Sequence, residues 1–391
     1  MIYRDYLIVG AGIAGASACA GIREHDKKGS VTLVGAEPNL PYDRPPLSKP
    51  FLKNTKLTEE KLRHMDADWY HKQKIEVRID TPVREFNIER RLAVLSDGQT
   101  VEFNKALLAT GSRATRPAVA GASLGNVFYL RTIRDALAIR EMGPLEKSII
   151  VVGGGFVAIE AAAALKQSGM KVTLMNRDPF VWHRWLDAAT AEWLTHLFHD
   201  KGVTLMMRED LNGFEGKTVL KNVQTKSGNR FPASMALVAV GATPNLELVA
   251  NTPLSTPNGT TVNDYLESDE KGIYAAGDIA FYPDRVLGGT RRMEHWDSAR
   301  EQGLIAGQNM TGRKRIKYEY LPYFSSELFD IAFDFVGDFS LPPARAEVEG
   351  DRAKKKFIAR YFRNGEHVAT VLCNQEKAKV DSARKLLREK R

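Results

Sequence analysis

Asp5-Tyr-Leu-Ile-Val-Gly-Ala-Gly-Ile-Ala-Gly15 decides the fold, because it returns as Ser148-Ile-Ile-Val-Val-Gly-Gly-Gly-Phe-Val-Ala158, with Gly10 and Gly153 in register at an offset of 143 residues. Each copy is an apolar run short enough for a buried parallel strand, followed by glycines and an Ala-rich stretch that favours helix. A second β-like run closes each unit, Val31 to Val34 in the first and Val172 to Met175 in the second. This is a βαβ unit made twice. In such a unit the first glycine allows the tight turn, the second lets backbone approach a pyrophosphate, and the third lets helix pack on strand. Gly10, Gly12 and Gly15 fill these places in the first copy, and Gly153, Gly155 and Ala158 in the second. The helix N-terminus behind each turn offers unpaired N–H groups and partial positive charge to phosphates.

The two copies differ where a ribose would lie. Glu37, 22 residues past Gly15, is read as ending the second strand of the first unit, where a carboxylate accepts from ribose hydroxyls. The second copy runs instead into Asn176-Arg177-Asp178. Arg177 suits a 2′-phosphate, so the second site leans towards NADPH over NADH; the alternative is that Asp178 turns inward and accepts from a 2′-hydroxyl.

Composition fits two or three domains. Of 391 residues 43% are hydrophobic and 27% charged, ordinary for a folded globular chain. The two cysteines, Cys19 and Cys373, form no disulfide framework and no CxxC pair, which suits a reducing cytoplasm and leaves redox chemistry to a bound cofactor. No cleavable leader is expected, since Tyr6-Leu-Ile-Val-Gly10 starts almost at Met1. The longest apolar stretch, Ser148 to Leu165, is broken by Gly153, Gly154, Gly155 and Glu160, so no membrane span is expected. The net charge of +8 invites an acidic protein, an anionic membrane surface or nucleic acid as partner.

Five further motifs stand in order: Pro41-Tyr-Asp-Arg-Pro-Pro-Leu-Ser-Lys49, Ala109-Thr-Gly111, Gly241-Ala-Thr-Pro-Asn245, Gly272-Ile-Tyr-Ala-Ala-Gly-Asp278 and Glu294-His-Trp-Asp-Ser-Ala299. With two dinucleotide turns they make the chain resemble, over nearly its whole length, the two-dinucleotide-domain flavoprotein reductases. The resemblance is to the ferredoxin-reductase-like branch, with putidaredoxin and rubredoxin reductases, monodehydroascorbate reductase and apoptosis-inducing factor.

The resemblance implies an α/β fold with two Rossmann-like domains, for FAD and NAD(P)H, and a small α+β C-terminal interface domain. Its implied divisions are 1–113 and 241–318 for FAD, 114–240 for NADPH or NADH, and 319–391 for the C-terminal domain. It places Gly10, Gly12 and Gly15 at the FAD pyrophosphate, Glu37 at the adenosine ribose, and Arg44 and Lys49 along the cofactor. Val83 matches the position whose backbone meets the adenine, and Ala109 a turn near the flavin edge. Arg131 matches a flavin-contacting arginine, Asp278 an aspartate at the ribityl and phosphate region, and Trp296 an aromatic beside the isoalloxazine. The helix expected from Asp297 to Met310 would aim its N-terminus at the flavin pyrimidine. Gly153, Gly155, Arg177, Arg184 and Gly241 fall to the pyridine nucleotide. Glu160 matches a carboxylate that meets Lys49 beside the flavin N5, and these two are the catalytic candidates.

Where related disulfide reductases carry a redox cysteine pair, this sequence has Asp43-Arg-Pro-Pro, so electrons are expected to leave for an external acceptor. The resemblance makes that acceptor a small acidic electron-transfer protein, ferredoxin or rubredoxin, and argues against nucleic acid. The alternatives are a small acceptor such as a monodehydroascorbate-like radical, a quinone or oxygen, or a partner-binding role. Monomer and homodimer are both open, and no metal site is expected from His196 and His199. The cluster Phe180, Trp182, Trp185 and Trp193 reads as core or interface, and Phe324 as an aromatic brought to the flavin face. Asn364-Gly365 marks a hairpin, and Ala378 to Lys390 a closing amphipathic helix. Residues 351 to 391 hold thirteen Lys and Arg against five acids, which places the whole surplus in a C-terminal basic cap.

Overall fold

The computed structural model describes residues 1–389, and the chain groups into two compact units. The first comprises residues 1–43, 62–113 and 244–321, and the second 44–61, 114–243 and 322–391. Besides moving the boundaries near 241 and 319 by three residues, this grouping differs from the sequence division in two larger respects. Residues 44–61 fall in the second unit, because the Arg140 guanidinium lies 4.5 Å from the Phe51 ring centre and bonds the Thr55 and Leu57 carbonyls. The C-terminal segment groups there too, through an aromatic core described below.

In the first unit a parallel sheet runs Ile75–Arg78, Val31–Val34, Ile2–Val9, Thr100–Leu108, with Ile273–Ala275 parallel beside the last. Antiparallel strands Leu92–Leu95 and Val83–Asn87 extend it. The register pairs Val9 with Val34 and Leu108, and Leu108 with Ala275. The residues after these strand ends, Gly10, Gly35, Ala109 and Ala276 to Asp278, therefore share the carboxyl edge of the sheet, where ligands of open α/β sheets bind. Gly10 has φ +118°, and a Cβ there would lie 2.1 Å from the Ala109 carbonyl oxygen, so the turn needs glycine both for its dihedral and for the approach.

Two helices of this unit, Ile13–His25 and Trp296–Met310, pack backbone against backbone. A Cβ on Gly303 would lie 2.1 Å from the Ala14 oxygen, and one on Gly307 2.2 Å from the Ala18 oxygen. A Cβ on Gly21 of the earlier helix would likewise lie 2.2 Å from the Leu304 oxygen of the later one, so the crossing needs glycine at all three contacts. It fixes where the N-terminus of the later helix stands against the glycine turn of the earlier one.

The second unit repeats the parallel sheet, in the order Thr204–Met207, Lys171–Asn176, Ser148–Val152, Ala236–Val238, Val127–Tyr129. Gly153, with φ +140°, reproduces the approach of Gly10, since its Cβ would lie 2.2 Å from the Ala239 oxygen. The helix Phe156–Gln167 follows, its alanines buried. A five-stranded antiparallel sheet, ordered Tyr323–Leu328, Ile331–Gly337, Glu366–Cys373, Lys356–Arg363, Arg345–Asp351, completes the unit with the helix Lys377–Glu389. Asn364 and Gly365 both take positive φ, 52° and 81°, which is the hairpin turn expected of them. Lys390 of the expected helix lies outside the described residues.

The tryptophan cluster belongs to this core. Trp182 is fully buried against Phe156, Phe333 and Phe335, Trp185 lies on Phe156, and Trp193 meets Phe357. Phe324 stacks on Phe335 with ring centres 4.6 Å apart. Phe156 closes the second glycine turn, so these contacts tie that turn to the C-terminal sheet. No helix among the described residues is long and apolar enough to cross a membrane.

Candidate functional site

In the first unit the glycine turn ends at Gly12, the N-cap of its helix, and no side chain caps it. A Cβ on Gly12 would meet nothing within 4 Å, so the open face of the turn presents uncapped N–H groups to free space. Around it stand residues from distant parts of the sequence. Asp278, buried, accepts from the Ser112 hydroxyl at 2.5 Å, and its carbonyl accepts from Arg292 at 3.0 Å. Glu37 lies three residues past the end of its strand rather than on it, because the strand stops at Val34. Its carboxylate accepts from Tyr42 Oη at 2.7 Å. Thr81 N–H donates to the Gly35 carbonyl at 2.9 Å, which sets Thr81-Pro-Val83 beside the same loop.

The Trp296 indole donates to Asp43 Oδ1 at 3.1 Å, and His64 Nδ1 lies 3.2 Å from the same oxygen. His64 was not legible as a site residue, having no motif around it. His295, the N-cap of the Trp296 helix, is pushed down to about 4 by burial, with Asp278 opposing that shift. Burial also pushes the thiol of Cys19 up to about 12, and that of Cys373 likewise. Neither is suited to nucleophilic or redox exchange.

In the second unit Gly155 caps its helix in the same way, with no side-chain bond and no atom within 4 Å of an added Cβ. Asn176 is buried and consumed by its own loop: its Oδ1 accepts from Asp178 N–H at 3.1 Å and its amide donates to the Phe180 carbonyl at 3.3 Å. Asp178 is held by Arg184, at 3.1 and 3.4 Å. Arg177 is exposed at the strand end. Gly241, φ +131°, follows the neighbouring strand and its carbonyl accepts from Thr115 N–H at 3.0 Å. Arg44 donates to the Arg131 carbonyl at 2.8 Å, and Arg131 N–H donates to Asp135 at 3.0 Å.

Lys49 and Glu160 do meet, Nζ to Oε1 at 3.1 Å, with side-chain exposures of 15% and 6%. Two serines join them: Ser326 Oγ donates to Glu160 Oε1 at 2.6 Å, and Ser48 Oγ bonds Oε2. Ser48 stood inside a quoted motif without a role. Ser326 carried one readable signal: in the strand Tyr323–Leu328 it shares a face with Phe324 and Leu328, a hydroxyl in an apolar row.

Two glycine turns at the carboxyl ends of two parallel sheets, each before an uncapped helix, define an oxidoreductase of the two-dinucleotide-fold class. The sequence profile described as pyridine nucleotide-disulphide oxidoreductase matches residues 4–303, and the chain belongs to that family. Among curated relatives, the ferredoxin–NAD(+) reductase subunit of the benzene 1,2-dioxygenase system of Pseudomonas putida is 31% identical over 86% of this chain and 81% of the relative. Putidaredoxin reductase of Pseudomonas putida is 31% identical over 94% and 87%. Among solved structures, the ferredoxin reductase for the CYP199A2 system of Rhodopseudomonas palustris superposes with a TM-score of 0.90 at 28% identity, covering 96% of this chain and 92% of that one. A covalent putidaredoxin reductase–putidaredoxin complex gives 0.91 at 29% identity, covering 99% and 93%.

Proposed function

We propose that this chain is an FAD-dependent NAD(P)H oxidoreductase whose electrons go to a small acidic iron–sulfur protein of the ferredoxin or rubredoxin type. The observation that carries this reading is the doubled turn: Gly12 and Gly155 each leave open space before uncapped helix N–H groups, which fits a pyrophosphate in each unit. The bound cofactors supply the chemistry, nicotinamide giving a hydride and flavin accepting it and releasing electrons outward, while the protein supplies binding, orientation and electrostatics.

Gly10, Gly12 and Gly15 hold the FAD pyrophosphate, Glu37 accepts from a ribose, and Asp278, fixed by Ser112, accepts from the ribityl region. Val83 and Ala109 present backbone, Trp296 covers the ring, and Arg44 and Arg131 serve the same cofactor. Gly153, Gly155 and Gly241 line the NAD(P)H site. With Asp178 held by Arg184, Arg177 is left to meet the adenosine end, which supports NADPH; the relatives named for NAD(+) support NADH. Lys49 and Glu160 orient the hydride transfer.

The acceptor reading draws on the relatives, and charge is consistent with it. Arg352, Lys355, Arg360 and Arg363 of the basic cap are paired with Asp187, Asp330, Glu349 and Asp338. Lys354, Lys356, Lys377, Lys379 and Arg388 make no ion pair among the described residues, so these cations are available to steer an acidic partner. Buried free thiols and dependence on NAD(P)H suit the cytoplasm. A second reading, reduction of a small acceptor, is supported by monodehydroascorbate reductase 3 of Arabidopsis thaliana, 29% identical over 85% of this chain.

Purified protein is expected to be yellow, with a flavin spectrum bleached by NAD(P)H. Turnover with an acidic ferredoxin should exceed that with quinone or oxygen and fall steeply with salt. A colourless chain that cannot be reconstituted with FAD overturns the whole reading; salt-independent turnover removes the cap from it; faster quinone turnover selects the second reading.

A further inference from the structure

We propose that Ser326 is a positioning residue: it fixes the Glu160 carboxylate, and through it the Lys49 ammonium, in the orientation that hydride transfer uses. The inference rests on the assignment of the Lys49–Glu160 pair to that step.

Glu160 is a buried carboxylate with every oxygen engaged. Oε1 accepts from Ser326 Oγ at 2.6 Å and from Lys49 Nζ at 3.1 Å, and Oε2 accepts from Ser48 Oγ. The three donors come from two places only. Ser48 and Lys49 are successive residues, where the helical turn Pro45–Ser48 meets the short helix Pro50–Lys53, and grip opposite oxygens, while Ser326 arrives from the C-terminal sheet, 166 residues beyond Glu160. Two donors on one segment tie the carboxylate's orientation to that segment alone. The third, from a separate element, removes that dependence and so fixes the direction from which Lys49 is held.

A purely structural role accounts poorly for this serine. Its strand is already paired with Ile331–Gly337 through six register positions, from Tyr323↔Val336 to Leu328↔Ile331, and needs no side-chain tie. Its row is otherwise apolar, Phe324 and Leu328, and Ser326 is 1% exposed. A hydroxyl in such a place costs stability unless it is bonded, and an alanine or valine would fill the row at less cost. The one proton of the hydroxyl goes to Glu160. The serine is therefore accounted for by what it does to the carboxylate.

The test is a cycle of Ser326→Ala, Glu160→Ala and the double variant, with Ser326→Thr as rescue and Ser48→Ala as an independent route to the other oxygen. Stopped-flow reduction of the FAD-loaded protein by saturating NAD(P)H gives the limiting rate. Ser326→Ala is expected to lower it about tenfold, the scale of one hydrogen bond to a charged group. Its apparent Kd for NAD(P)H, and FAD affinity from titration of the deflavinated protein, should stay within about twofold, because this bond touches neither cofactor. Ser326→Thr should restore the rate, Ser48→Ala should slow it, and Ser326→Ala should add nothing in the Glu160→Ala background. In the deflavinated chain, urea midpoints over the same cycle should show that Ser326→Ala costs stability only while Glu160 is present.

Independent, multiplying effects of the two substitutions overturn the proposal, as does a loss of FAD affinity matching the loss of rate. Absence of coupling in the deflavinated chain also overturns it. If Glu160→Ala slows reduction and Ser326→Ala does not, this inference alone falls; if Glu160→Ala reduces at the wild-type rate, the assignment of the pair falls and takes the inference with it.

Discussion

Gly303→Ala and Gly12→Ala add one methyl each to the first unit and are expected to do opposite things. On Gly303 the new Cβ would lie 2.1 Å from the Ala14 oxygen and 2.8 Å from its carbonyl carbon and Cα. Reaching even a tight 3.0 Å contact requires the two helices to part by about 0.9 Å, and the obstacle is backbone, which cannot rotate aside. Overpacking of this kind costs about 1–3 kcal/mol, against a gain of about 1 kcal/mol from replacing glycine by alanine inside a helix. The net expectation is a loss of up to about 2 kcal/mol, where helix propensity alone gives a gain of about 1 kcal/mol. Helix propensity alone predicts the opposite sign, which makes the experiment decisive.

On Gly12 the methyl meets nothing within 4 Å, and the backbone, at φ −87° and ψ −171°, is open to any residue. The FAD-free chain should therefore keep its stability to within about 1 kcal/mol, the usual cost of alanine at an N-cap. The methyl occupies the space proposed for the pyrophosphate, so FAD affinity should fall at least about a hundredfold, roughly 3 kcal/mol of lost charge-assisted contact. Urea denaturation of the deflavinated variants and fluorescence titration with FAD supply both quantities. A Gly303→Ala chain more stable than wild type by the helix-propensity gain of about 1 kcal/mol would refute the packing argument, and Gly12→Ala binding FAD normally would refute the assignment of the turn.

Arg177→Glu is expected to lower kcat/KM for NADPH relative to NADH by about ten- to a hundredfold, the worth of a charge-assisted bond to a phosphate; an unchanged ratio means that Arg177 does not meet the coenzyme. Asp278→Ala removes the Ser112–Asp278 bond and the proposed ribityl acceptor, so the protein should purify with flavin well below one equivalent by absorbance, and full occupancy would contradict the role. His295 gives a pH dependence with a definite sign. Its folded-state value, about 4, lies below the ordinary histidine value of about 6.5, so the unfolded chain takes up the proton first and stability falls as pH drops from about 6.5 towards 4. In the FAD-free chain, His295→Gln should recover about 1–2 kcal/mol at pH 5 and nothing at pH 8, read from urea midpoints at the two pH values; equal effects at both would show that titration is not the cause.

The repeat at 143 residues carried most of the architecture, because a βαβ unit is a local object. Strand, turn and helix lie within about 30 residues, and apolar runs, glycines and alanines report them directly. The meeting of Lys49 with Glu160 followed from family motifs, since nothing in local sequence brings residues 111 apart together. What could not be read were partners set only by sheet register and helix crossing. Ser326 reaches Glu160 because a hairpin strand presents alternate residues to one face, and His64 reaches Asp43 across a loop without a motif. The strand Val31–Val34 stops three residues short of Glu37 because its length was set by pairing with Tyr6 to Val9, not by its own residues. The basic surplus likewise changed meaning in three dimensions. The sequence counts thirteen cations in residues 351 to 391, but four of them spend their charge on acids at positions 187, 330, 338 and 349, outside that segment. Composition fixes how much charge there is; only the packing of one element on another decides which charges remain to be seen by a partner.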